Sequence, residues 1–405
     1  MIAALAWRNI WRQPVRTYLS LIGMAFTSML LVFMLSFQFG SYDTMKSSML
    51  RISDGFGQFQ VAGYQDDPEL EKAIADPEAV IADVETIRGI TAATARANGF
   101  GLLAKGERTF AAAIVGVDPA RESAISTLSG MVQTGRALTP DDSGAIILGD
   151  GLARNLRMQI GDQVTMLGSG RDGSVAADVL EVVGIFKTNV PEIDRQIAQM
   201  PLSRFQETFA MDGGASVVAI TGDALGDVES ADRDLRALAA KHDLVYLDWG
   251  ELVPGIKQAI TFDMSTALLM YGTLVIVVVF IILNTLYMSV LERTREFGVL
   301  LAIGMKPAEI GRMVWIEMIF LSVIGNGIGI ILGMALTGYF QAVGIAFEGM
   351  EEVYAQFGLP SRMYPSMTAF RVLAGPGVMV AAIAILGVIP YRRSLSLEPV
   401  SAMAA

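Results

Sequence analysis

The chain has 405 residues, 53% of them hydrophobic and only 18% charged, and its mean hydropathy is positive. That is too apolar for a soluble protein of this length. A net charge of −11 argues against nucleic acid as a partner, and the lack of cysteine excludes a disulfide framework, a thiolate metal site and a cysteine nucleophile.

Four apolar blocks of about 20 residues or more are separated by one very long polar stretch and two short ones, and each block can cross a bilayer. Residues 1–18, MIAALAWRNIWRQPVRTY, set Arg8, Arg12 and Arg16 four apart with Trp7 and Trp11 beside them. This spacing reads as a cytoplasmic amphipathic helix lying in the interface, or as a basic flank that sets topology, and the two are compatible. Residues 19–41 form the first transmembrane helix. The run is longer than a signal-peptide core, and no small-x-small cleavage site follows it.

The polar region 42–263 carries 19 basic against 33 acidic residues, a net of −14. Its segment PEAVIADVETIRGI (77–90) is an amphipathic helix, with Pro77 near its start and Gly89 after its end. Two strands joined by a turn at residues 105–107 follow. In the segment GAIILGDGLARNLRMQIGDQVTML we read a strand, a short helix, a turn at Gly161 and Asp162, and a second strand. The expected layout is an α/β layer over 42–119 and 216–263, interrupted by a mainly β insert over 120–215. Gly149-Asp150-Gly151 and Gly168-Ser169-Gly170 are turn glycines rather than a phosphate loop. His242 reads as a surface or strand-edge residue, and neither a metal cluster nor a catalytic triad is expected; no cofactor is implied.

The second, third and fourth spans are expected at 264–291, 313–340 and 372–391. Between them lie a short amphipathic segment (292–312) and an amphipathic lip (341–371), and a tail (392–405) follows. The second run exceeds the hydrocarbon thickness, so it must tilt or project. Arg8, Arg12 and Arg16, then Arg293, Arg295, Lys306 and Arg312, then Arg392 and Arg393 all fall on one side if there are four spans. The positive-inside rule places that side, with both termini, in the cytoplasm. The fold class is therefore membrane α-helical with four transmembrane helices, plus a large extracytoplasmic α+β domain inserted between helices 1 and 2.

Within the third span, Gly325, Gly329 and Gly333 recur every four residues, a ridge that suits helix packing or a dimer face. Glu317, one turn inside the same span, reads as the partner of a basic residue rather than as a proton relay. Asn284 and Asn326 are expected to hydrogen-bond between helices. So few buried charges argue against an ion-driven transporter.

The segments LAWRNIWRQPVRTYLSLIGM, NTLYMSVLERTREFGVLLAIGMKPAEIGRMVWIE and GVIPYRRSLSLEPVSAM resemble the MacB/LolC/LolE/FtsX superfamily of ABC transporter permeases, the type VII class. GAIILGDGLARNLRMQIGDQVTML with the following VVGIFKT resembles the LolC/LolE-like branch. The resemblance implies that the segment after the second helix is a coupling helix seated in a separate ATPase, with Glu292, Arg293, Arg295, Glu296, Phe297, Leu300, Leu301 and Gly304 at the contact. No G-x-x-x-x-G-K-[ST] occurs in the sequence, so ATP hydrolysis is expected in a partner subunit and this chain is not itself expected to be an enzyme. Full MacB carries its ATPase at its own N-terminus, so the expectation here is the split-subunit arrangement.

The resemblance further implies a bacterial inner-membrane complex of two ATPases and two permeases, the second permease being a copy or a paralogue, in which ATPase closure is transmitted to the periplasmic domains. In LolC/LolE-type proteins acyl chains are held between the first and second helices. The corresponding candidates are Met24, Met29, Phe33 and Phe37, with Met264, Met270 and Tyr271. Such adaptable side chains suit acyl chains and equally suit membrane lipid. The leading expectation is extraction or export of a lipoprotein or amphiphile to a periplasmic carrier or adaptor. The alternatives are MacB-like tripartite efflux of small molecules or peptides, and FtsX-like signalling to a cell-wall hydrolase.

Overall fold

The computed structural model describes residues 2–350, 353–354, 359–389 and 391, so Arg392, Arg393, Pro399 and the tail 392–405 lie outside the described residues. The chain divides into two compact units. One contains residues 1–42, 260–346 and 362–405, the other residues 43–259 and 347–361.

In the first unit, α1 (Ile2–Ile10) ends before Pro14, which opens α2 (Pro14–Ile52), whose residues from 43 on belong to the second unit. A proline suits a helix start because its missing N–H would be unpaired there anyway. Residues 14–18 therefore belong to the first long helix and not, as expected from sequence, to the amphipathic segment. The same holds for the second span: its helix, α11, is Pro254–Glu292 rather than 264–291. Each of these two helices has 39 residues, about 58 Å at ~1.5 Å per residue. The unit continues with α12 (Thr294–Ala302), α13 (Pro307–Val343) and α14 (Ala369–Leu386). Thr368 caps α14 by accepting from the Arg371 amide at 3.3 Å. Four of the helices are long and apolar enough to cross a membrane.

The second unit holds β1 (Gly57–Gln60), α3 (Pro77–Val84), β2 (Ala92–Lys105), β3 (Arg108–Val117) and α4 (Pro119–Ile125). Then come β4 (Val132–Gly135), β5 (Ala145–Gly149), α5 (Asp150–Leu156), β6 (Gln163–Ser169), β7 (Val175–Phe186) and α6 (Pro191–Gln196). It closes with β8 (Ile197–Pro201), α7 (Leu202–Thr208), β9 (Val217–Thr221), α8 (Leu225–Ser230), α9 (Asp232–Lys241), β10 (Val245–Asp248) and α10 (Trp249–Leu252). Local chemistry starts the helices. Asp76 and Asp118 accept from the amides of Ala79 and Ala120 at 3.1 and 3.0 Å, each with proline at the next position.

The sheet order is β10-β1-β9-β2-β3-β8-β5-β7-β4, with β6 joining β7 back to β2. Strands β2, β3, β8, β5, β7 and β6 thereby close into a barrel. The mainly β insert is thus not a separate layer: its strands continue the hydrogen bonding of β3 and return to β2. The physical reason is the length of β2, about 46 Å at ~3.3 Å per residue. Its first half pairs with β9 and its second half with β6. At the change-over Gly99 makes room for Phe205, whose ring would stand 2.9 Å from a Cβ there.

Two cores result. Leu103, Ile114, Met166, Leu180 and Met200 fill the barrel with Phe205 and Phe209, which stack at 4.2 Å. Phe59, Val80, Val84, Val218 and Leu235 fill the α/β layer. Arg96 donates to both oxygens of Glu122, Nε at 3.0 Å and Nη2 at 2.8 Å, and both side chains are buried. His242 caps the end of α9 and contacts Asp83 at 2.8 Å, a surface role.

Candidate coupling site

The charged motif after α11 folds as a nine-residue helix, α12, shorter than the 292–312 expected from sequence. It stops because Gly304 adopts φ +104°, which lets the Met305 amide reach the Leu300 carbonyl at 3.0 Å. Lys306 and Pro307 then start α13, so Arg312 belongs to that helix. Gly304 itself serves the turn.

Most of the motif is engaged within the chain. Phe297, expected to face a partner, is 1% exposed and packs with Ala6 of α1, Val290 of α11, and Ile310, Met313 and Val314 of α13. Leu300 and Leu301 pack partly against the same cluster. The correction follows from the amphipathic pattern. The apolar side of α12 finds apolar side chains of its own chain before any partner arrives.

The charges behave likewise. Arg293 donates from Nη1 to Glu317 at 3.3 Å and from Nε to Glu296 at 3.4 Å, and its guanidinium lies 5.2 Å from the Phe297 ring centre. Arg12 reaches Glu296 at 3.2 Å and Arg16 reaches Glu292 at 3.2 Å. Glu317 is therefore the structural ion-pair partner its position suggested. Arg12, Arg16, Arg293, Glu296 and Glu317 line a polar cavity of about 370 Å³ with Asn9 and Gln13. Arg295 makes no hydrogen bond or ion pair among the described residues, and with Val299 and Ile303 (78% exposed) it forms the outer face of α12.

The glycine ridge of α13 is covered by α2 of the same chain. A Cβ at Gly325 would lie 2.7 Å from Met24 Cβ, at Gly329 2.4 Å from the Ala25 carbonyl, and at Gly333 2.8 Å from Val32 Cβ. Of the two readings, helix packing is the one this geometry provides; the ridge is not open to a second molecule. Asn326, expected to bond across helices, donates instead to Ser322 of its own helix at 2.8 Å, while Ser28 Oγ crosses from α2 to the Asn326 carbonyl at 3.3 Å. Asn284 is exposed.

The candidate substrate-facing residues do not converge. Met24 is fully buried against α13, and Tyr271 is 6% exposed within an apolar cluster, its hydroxyl donating to Gln38 Oε1 at 3.0 Å. Met29, Phe33, Phe37 and Met264 are half-buried, with Phe33 against Phe37 and Phe340, and only Met270 is exposed. Instead, Leu19, Phe26 and Ile281, together with Met288, line a groove of about 830 Å³ between α2 and α11.

A further cluster escaped the sequence reading. Where residues 38–42 of α2 pass residues 263–271 of α11, Asp263 Oδ2 accepts from Gln38 Nε2 at 2.6 Å and from the Tyr42 hydroxyl at 2.5 Å. The available signal was partial: Gln38 and Tyr42 are four apart on one helix face, and Asp263 is the residue immediately before the second apolar run.

Residues 17–238 match the MacB-like periplasmic core domain family, and residues 268–399 match the FtsX-like permease C-terminal family. The lipoprotein-releasing system transmembrane protein LolC of Xylella fastidiosa (strain 9a5c) is 25% identical over 318 residues, 74% of this chain and 75% of that protein. LolC of Neisseria meningitidis serogroup B (strain ATCC BAA-335 / MC58) is 23% identical over 404 residues, 96% of this chain and 93% of that one. Among solved structures, the extracellular domain of the ABC-type transporter YknZ from Gram-positive bacteria aligns with 48% of this chain and 99% of its own, at 19% identity and a TM-score of 0.36. The chain belongs to the MacB-like periplasmic core domain family and is an ABC transporter permease of the MacB/LolC/FtsX superfamily, a membrane-spanning protein with a periplasmic domain whose family implies an ATPase partner.

Proposed function

We propose that this permease converts the closing of a separate ATPase pair into extraction of a lipoprotein or similar amphiphile from the periplasmic leaflet of the inner membrane. In this reading four helices span the membrane with both termini inside, and the periplasmic domain is inserted between the first and second spans. Two permeases and two ATPases make the complex, and a periplasmic carrier or adaptor receives the cargo. The observation that carries the proposal is α12. Its inner side is fastened to α1, α11 and α13 through Phe297 and the Arg293–Glu317 pair, while Arg295, Val299 and Ile303 stay outward. A force applied to that outer face is passed to three helices at once.

The choice of cargo is supported by similarity to LolC along most of the chain and by the apolar groove between α2 and α11. The test is the purified complex in lipid, assayed for ATP-dependent release of a tri-acylated lipoprotein to a soluble acceptor. Release above the ATP-free control is expected. ATPase stimulation by small molecules without any lipoprotein release would move the assignment to efflux.

A further inference from the structure

The outside of the barrel carries an uncharged, mostly apolar face in a region whose net charge is −14. Strand alternation creates it. Leu103, Ala112, Met166, Ala176 and Leu180 point into the core, so their neighbours point out. The register aligns those neighbours across four strands: Leu102 of β2 lies between Ala111 of β3 and Leu167 of β6, and Leu167 lies beside Ala177 of β7. In the row on one side Ala104 stands between Thr109 and Thr165, which ends at Val179. On the other side Phe100 pairs with Ala113, and Ser169 pairs with Val175. None of these positions is ionisable. Phe100 is 70% exposed and Val175 78%.

Scattered exposed apolar residues need no explanation, whereas a contiguous field of a few hundred Å² often marks an interaction site. Strand and residue spacings give this one about 400 Å². We infer that it is the surface through which the periplasmic domain meets a second copy of this chain. Charge selects that occupant. Two domains of net −14 repel wherever their acidic surfaces approach, and this face lets them close without juxtaposing like charges, whereas a basic partner would gain nothing from it. Shape agrees, because large side chains (Phe100, Leu102, Leu167) alternate with alanines, as a twofold, self-complementary contact needs. The area is about half of the ~800 Å² per partner that a free-standing dimer buries. It therefore suits two chains already held side by side in a membrane, and the inference rests on the two-permease arrangement proposed above.

The test uses the natural absence of cysteine. Leu102→Cys in the full chain, assembled with its ATPase in lipid and labelled with a benzophenone maleimide, is expected to give a light-dependent adduct at twice the chain mass. That adduct should be several-fold stronger than from Glu71→Cys, exposed elsewhere on the same unit, and should be lost when Leu167→Asp is added. An adduct to a different protein or to lipid, equal yields at both positions, or no adduct at position 102 overturns the inference. The native mass of the complex separates the two levels. Two copies without a dimer adduct overturn this inference alone; a single copy overturns the two-permease arrangement as well.

Discussion

Arg293 and Glu317 meet at 3.3 Å with each side chain only 11% exposed, which ties the residue before α12 to the first third of the third long helix. Removing Arg293 leaves Glu317 buried without its ion-pair partner, at a cost of about 3–5 kcal/mol, whereas removing Glu317 leaves Arg293 with Glu296 alone, at 3.4 Å. Arg293→Ala and Glu317→Ala should each destabilise the membrane unit, whereas the double change Arg293→Met with Glu317→Met should recover most of the loss. Thermal unfolding in lipid checks this. Additive single effects would show that the pair is not coupled.

The outer face of α12 separates docking from folding. Ile303→Asp should leave the protein inserted and stable but abolish co-purification of the ATPase, because Ile303 is 78% exposed and packs on nothing that must be preserved. Phe297→Ala should instead lower stability by about 3–5 kcal/mol through the cavity it leaves. An ATPase that still binds the Ile303→Asp protein would show that docking occurs elsewhere.

The glycines of α13 make opposite predictions within two residues. At Gly329 an added Cβ would stand 2.4 Å from a backbone carbonyl of α2, so Gly329→Ala should push the helices apart and cost about 1–3 kcal/mol. At Gly327 nothing lies within 4 Å, and Gly327→Ala should be neutral or raise stability by up to ~1 kcal/mol. Neither change should alter the oligomeric mass on native gels, because α2 of the same chain already covers the ridge.

In the barrel, Asp178 is buried and accepts from Arg204 Nε and Nη2, both at 2.8 Å. Burial pushes its carboxyl up, but the Arg204 pair and the Val179 amide bring it below the ordinary value of 3.8. A depressed carboxylate stabilises the folded state fully above its unfolded pKa, and the contribution fades as pH falls through the folded value. Asp178→Asn should therefore cost about 1–2 kcal/mol at neutral pH, allowing for the solvent around Arg204. The deficit should shrink below the ordinary carboxylate pKa. Denaturant titrations of both proteins at neutral and acid pH measure it, and a deficit that grows on acidification would reverse the assignment.

What could be read from the sequence was whatever a short window encodes. The apolar runs, the hairpin that became β2 and β3, and the capping aspartates Asp76 and Asp118 each depend on neighbours a few residues away. The same is true of the ERTREFG motif, whose likeness to a permease family points to α12. What covers an apolar face is a different question. Periodicity marked Phe297 as apolar-facing, and only the packing showed that α1 and α13 occupy that side. The glycine ridge read equally well as a dimer contact until α2 was seen lying on it, and Met24 read as lipid- or cargo-facing until it was found against Gly325.

The barrel was hidden for a related reason. Its closure depends on β6 returning to β2 across some sixty residues of chain, a pairing no local pattern encodes. The sequence by itself determined which segments are helices or strands and which of their sides are apolar, because those follow from local sterics and side-chain period. Only the tertiary structure decided which side meets its own chain, because lipid, protein core and partner surface all select the same apolar side chains.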